Sequence, residues 1–241
     1  MQRVLLIFKL IIRMGLFVAA VVLFFTVGDE LPYADYLDFT RMFGFVYRSW
    51  FLWIIAVVLI PGMLLRIFPN RIICIGARKH FACSYRGVVL GRGVDDLGGL
   101  RLAGLHRGAV FSGLGWFVIT VLVLLILFVF DFLTPAVVLV FVLFYGVLDV
   151  VFNLFYCPFR AFFMRNSCCR LCRIHNWDYL MMCLPLVVFP SVFSFFLVGL
   201  AFVVFLRWEI SLKRNPHFFM REFNLNLRCD SCSHGGCLGR K

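Results

Sequence analysis

Five long apolar runs, residues 5–27, 50–65, 115–133, 136–156 and 180–206, divide this chain, and most of its basic residues lie in the segments between them. Runs of that length match what a helix needs to cross the roughly 30 Å hydrocarbon core of a bilayer, about 20 residues at 1.5 Å each. Lipid offers backbone amides no water, so a crossing segment must satisfy them internally, as an α-helix does. Hydrophobic residues make up 63% of the chain, with a mean hydropathy of +0.98, well beyond the roughly 45–50% of a soluble domain. The predicted fold class is an all-α polytopic integral membrane protein: four firm transmembrane helices plus a fifth apolar element, either a span or a re-entrant hairpin.

Charge sets the expected boundaries and sidedness. Residues 1–27 form a basic N-terminus and first span. Lys9 and Arg13 interrupt its apolar run and are expected to snorkel to the interface. A cleaved signal peptide would share this basic start, but Phe24-Phe25 lacks the small residues such a cut prefers, so an uncleaved span is expected. An acidic loop, 28–49, precedes a second span, 50–67, which contains Pro61 and ends near Arg66. Segment 68–114 is basic and rich in Gly and Arg, with room for some β or irregular structure. Residues 115–156 read as a helical hairpin turning at Thr134-Pro135, because proline suits a first helical position. A Cys/Arg-rich loop, 157–179, leads to the apolar element 180–206 and a basic, Cys-rich tail, 207–241. The positive-inside rule puts the N-terminus and both basic loops on the cytosolic side and 28–49 outside.

The tail conflicts with this alternation. Its seven Lys/Arg against three acids favour the inside, whereas a fifth simple span would put it outside. A re-entrant element bent at Pro185 and Pro190 would place 22 of the 24 basic residues inside, against 15 for five plain spans. Two full spans would need roughly 40 residues, more than the run supplies. On length a single tilted span is acceptable, and five plain spans are the expectation.

A second bias concerns composition. Thirty-one Phe stand against four Thr and one Gln, and twenty Arg against four Lys. Codons for Thr, Lys and Gln need adenine or cytosine early, whereas Phe, Val, Leu and Cys are reached through uracil and guanine. A U/G-rich coding strand accounts for both skews. Demand for apolar spans accounts for the Phe alone.

Few residues suggest chemistry. In the tail, Cys229, Cys232, His234 and Cys237 are the ligand set of a structural zinc site, crowded into nine residues. Acylated or simply free cysteines near a membrane are the competing reading. Cys168, Cys169 and Cys172, beside Arg170 and Arg173, are acylation candidates. Cys169 and Cys172 could join Cys229 and Cys232 in one metal site if the tail lies on the same side. Asp149 and Asn153, four apart, share a helix face within the hairpin, while Asp131 reads as a cap near its turn. Intramembrane carboxylates are costly and hint at an ion path, although an interhelical hydrogen bond explains them equally simply. No basic partner for Asp149 is evident in another span.

Arg78, Lys79, Arg86, Arg92, Arg101 and Arg107 are scattered through or beside a glycine-rich stretch, 87–115, that lacks the strand a phosphate-binding loop requires. They are the candidate contacts for anionic lipid or for nucleoprotein or RNA. Tyr85-Arg86-Gly87-Val88 fits a tyrosine sorting signal, a pattern short enough to occur by chance. No nucleophile elbow, zincin motif or P-loop is present, nor any internal repeat. The expectation is therefore not an enzyme but a structural or scaffolding protein of the bilayer, homo-oligomeric, whose basic inner face binds a partner. Its size, Phe-rich spans and basic inner face resemble, in architecture only, the small multi-span virion membrane proteins of RNA viruses. A small channel or transporter lined by Asp149 and Asn153 is the alternative, and an accessory subunit of an organellar membrane complex a third.

Overall fold

The structure, a computed structural model, describes residues 2–27, 50–68, 94–155, 158, 174–189, 191–219 and 223–225. Described residues are helical almost throughout, without strands. The helices are α1 (Gln2–Val27), α2 (Trp50–Ile67), α3 (Val94–Val129), α4 (Pro135–Leu154), α5 (Ile174–Cys183) and α6 (Val192–Arg214). A 3-10 turn, Leu184–Val188, continues α5, and another, Pro216–Phe219, follows α6. Four helices are long and apolar enough to cross a membrane: Leu6–Thr26, Arg107–Val129, Pro135–Phe152 and Phe193–Arg214. The last run thus supplies one of the four, while the stretch Ile54–Ile67 of α2 is apolar but shorter.

Local chemistry explains the breaks. At the α3–α4 turn, Asp131 adopts φ 55°, a left-handed conformation that Asp tolerates better than most residues. Thr134 then caps α4, its hydroxyl accepting from the Val137 amide at 3.3 Å, with Pro135 in the first turn. The apolar run 180–206 is not one helix. Phe189 has φ −114° and ψ 89°, the extended bias imposed on a residue that precedes proline, here Pro190. Ser191 restarts the helix, accepting from the Ser194 amide at 3.0 Å. The Ser194 hydroxyl in turn donates to the Phe189 carbonyl at 3.0 Å. The Ser194 amide and the Phe189 carbonyl at the break are thereby satisfied within the chain.

Three helix pairs pack antiparallel. Along α1 and α4, Arg13 meets Gly146 and Asp149, while Phe17 lies 5.9 Å from Phe144. Across the α3–α4 hairpin, Thr120 bonds the Tyr145 hydroxyl at 2.8 Å and Trp116 packs on the same ring. Across α5 and α6, Trp177 Nε1 donates to Glu209 Oε1 at 2.8 Å and its ring packs on Phe205. A Cβ on Gly113 would lie 2.7 Å from the Trp177 ring, so that glycine lets α3 approach α5. The buried core runs between these helices through Ala20, Ile55, Leu59, Met63, Val138, Val142, Leu197, Ala201, Val204 and Trp208.

These contacts gather the start of α1, the end of α2, the end of α4, the start of α5 and the end of α6 at one end of the bundle. The last two differ from the expected arrangement. Five plain spans would leave Trp177 and Glu209 at opposite ends, but α5 and α6 form a hairpin that returns the chain to the end it left. The hairpin draws residues on both sides of the apolar run into helix, so it extends over 174–214 rather than 180–206. Helix α3 likewise begins at Val94, which makes the second part of segment 68–114 helical.

Candidate functional site

Charged residues of four helices converge at that shared end. From α1, Arg13 is 3% exposed, and its Nη1 donates to Asp149 Oδ2 on α4 at 2.8 Å and to the Gly146 carbonyl at 2.6 Å. Lys9, one turn earlier on the same face, reaches that same Oδ2 at 3.8 Å. From α2, Arg66 makes a two-pronged pair with Asp178 on α5: Nη1 to Oδ1 at 2.5 Å and Nη2 to Oδ2 at 2.6 Å. The guanidinium also lies 4.6 Å from the centroid of the Tyr179 ring, a cation–π contact. Lys9 Nζ is 6.0 Å from the same ring. Three cations, two carboxylates and one aromatic ring, from four helices, form a single cluster.

Glycines make the cluster possible. A Cβ at Gly62 would overlap the Tyr179 hydroxyl, so Tyr179 sits in a notch on α2. At Gly146 a Cβ would come within 3.3 Å of Met182 Sδ and 3.9 Å of Arg13 Cδ, and the carbonyl of the same residue accepts from Arg13. Short side chains at helix contacts permit close backbone approach where lipid provides no hydrophobic drive for association.

The pairing is what the physics of a low-dielectric interior demands. An isolated ion costs several kcal/mol to bury, and a partner with good geometry offsets that cost. Arg66 suits Asp178 because a planar fork matches a carboxylate in a way an ammonium cannot. Chemically, the cluster can lock helices in register and hold an anion. Among the described residues no three His, Cys, Asp or Glu side chains gather as a metal site would require.

Two sequence expectations are corrected here. Asp149 does have a basic partner in another span, Arg13. That arginine does not snorkel outward but turns inward and is buried. Arg66, at the close of the second run, and Asp178, within segment 157–179, join two helices. A signal was present in the sequence, since each of these residues falls at the same end of its segment once spans alternate.

Of the candidate partner contacts, Arg107 is exposed on α3 and Arg101 lies on the same helix. Arg78, Lys79, Arg86 and Arg92 lie outside the described residues, as do the acylation candidates Cys168, Cys169 and Cys172 and the zinc candidates Cys229, Cys232, His234 and Cys237. Asn153 lies on α4 one turn beyond Asp149. Compared with known proteins, the chain matches no family model, and no curated protein or solved structure is similar to it.

Proposed function

We propose that the protein is a non-catalytic, multi-span membrane scaffold whose basic end meets an anionic partner. The observation that carries this reading is how the intramembrane carboxylates are used: Asp149 on Arg13, and Asp178 on Arg66 through two hydrogen bonds. A proton or ion relay needs carboxylates that exchange partners, whereas buried cross-helix ion pairs favour a fixed bundle. The conduction reading is therefore the weaker one. Liposomes containing the purified chain should show no ion flux that Asp149→Asn alters.

The shared end of the bundle supports a cytosolic side that carries the N-terminus, the basic segments 68–114 and 157–179 and the tail together. That arrangement satisfies the positive-inside rule better than five plain spans. In it, Arg78, Lys79, Arg86, Arg92, Arg101 and Arg107 form the contact surface for nucleoprotein, RNA or anionic lipid. Cys169 and Cys172 fall on the same side as Cys229 and Cys232, which keeps a joint zinc site available. A virion or envelope membrane is the setting this architecture fits, with copies of the chain associated in the bilayer.

The test is replacement of the six basic residues by Gln. Partner binding should fall, and its dependence on salt should flatten as counterion release is lost. Binding that keeps its strength and its salt dependence would rule the surface out.

A further inference from the structure

We propose that Lys9 is the headgroup contact of an anionic phospholipid, whose phosphate neutralises the one cation of the cluster that, among the described residues, lacks a carboxylate of its own. The charge count points there first. Arg66 and Asp178 satisfy each other through two short hydrogen bonds, and Arg13 takes Asp149 Oδ2 at 2.8 Å. Lys9 shares only that already occupied oxygen, at 3.8 Å, beyond hydrogen-bond distance. No other carboxylate among the described residues forms an ion pair with it, and its three N–H donors have no hydrogen-bond acceptor among those residues.

A second observation is independent of Lys9. Arg13 Nε, one turn deeper on the same face of α1, is buried with no hydrogen-bond partner. Among the described residues, the Lys9–Arg13 edge thus carries one surplus positive charge and unused donors in a region where both are costly. A phosphate monoanion supplies the missing charge and several acceptor oxygens.

Depth favours a lipid as its source. From Val27 at the far end of α1, Arg13 lies about 21 Å and Lys9 about 27 Å along the axis, at 1.5 Å per residue. For a hydrocarbon core of about 30 Å, Lys9 sits just inside the boundary where phosphates lie, and its four-carbon stem covers the remainder. Its side chain is 36% exposed, against 4% for Arg13, so it is the member of the cluster a headgroup can reach. The opposite face of α1 at this level is Val4, Ile7, Phe8 and Ile11, all exposed and apolar. Acyl chains therefore cover that face of the helix at the level of Lys9.

The experiment uses the full chain purified in neutral detergent, with lipid retention read by native mass spectrometry. Wild-type protein and Lys9→Arg should hold one phosphatidylglycerol in preference to phosphatidylcholine. Lys9→Gln should hold it about five- to tenfold more weakly. In micelles with phosphatidylcholine only, Lys9→Gln should melt no lower than wild type, because it removes an uncompensated cation; this also verifies that the variant folds. Equal phosphatidylglycerol retention by wild type and Lys9→Gln would overturn the proposal. So would a lower melting point of Lys9→Gln without anionic lipid, which would make Lys9 a partner of Asp149 alone. Displacement of the lipid by millimolar inorganic phosphate would overturn the lipid as the source of the anion.

Discussion

Arg13 on α1 and Asp149 on α4 are 136 residues apart in the chain and 2.8 Å apart in the fold. Each interrupts an apolar run that would cross a membrane more cheaply without it. Together they cost less than either alone, because each removes the other's uncompensated charge. The pair also sets register: sliding α1 along α4 by one turn would move Arg13 about 5.4 Å from Asp149.

Removing either partner should therefore be severe. Asp149→Ala should destabilise the bundle by about 3–5 kcal/mol, the usual cost of leaving one buried charge unpaired, and Arg13→Ala by less, because Lys9 also reaches Asp149. Exchanging the two, Arg13→Asp with Asp149→Arg, should recover part of that loss. Unfolding in mixed micelles by titration with a denaturing detergent measures both. A double variant no more stable than the singles would mean that the pair does not couple α1 to α4.

The Arg66–Asp178 pair gives a sharper test of structure against function. Either single replacement, Arg66→Met or Asp178→Leu, should cost about 3–5 kcal/mol. The double replacement should be near neutral, or stabilising by up to about 4 kcal/mol, since an apolar pair avoids the desolvation of two ions. If the double variant folds well yet no longer binds the anionic partner, the pair has a role in binding as well as in holding α2 to α5.

Gly62 and Tyr179 should behave as one unit. A methyl group at position 62 would overlap the Tyr179 hydroxyl, so Gly62→Ala should cost about 1–3 kcal/mol from overpacking. Adding Tyr179→Phe removes the atom in the way and should restore a large part of it. Equal stability of Gly62→Ala and the double variant would show that the ring does not occupy this notch.

The hairpin break at Phe189–Ser191 makes a topological prediction. Tags on the N-terminus and after Lys241 should be cleaved by protease from the same side of sealed membranes. In Pro190→Leu with Ser191→Leu, the constraint on Phe189 and the helix cap are both removed. The run 180–206 can then continue as one helix, and a measurable fraction of C-terminal tags should appear on the opposite side. Wild-type tags on opposite sides would contradict the α5–α6 hairpin.

Much of the helix inventory was legible because it follows from composition alone. Runs rich in Phe, Leu and Val must be helical if they meet lipid, and Thr134-Pro135 declares a turn and the next helix start. For the last run a single span and a hairpin both stay open in the sequence, because Asp178 and Glu209 mark, by charge, the limits of an apolar segment. In the fold both are inside helices, one held by Arg66 and the other by Trp177. A sequence displays the cost of such a residue but not the partner that offsets it.

What the sequence determined by itself is which stretches of this chain are apolar helices, and where they turn: both depend on residues close together in the chain. Only the tertiary structure decided that Arg13 turns inward to Asp149, that Arg66 forks onto Asp178, and that α6 returns beside α5. Those outcomes depend on charges brought together from distant parts of the chain. In a low-dielectric interior, the energy of a charge is set by what lies within a few ångströms of it, whatever the separation along the chain.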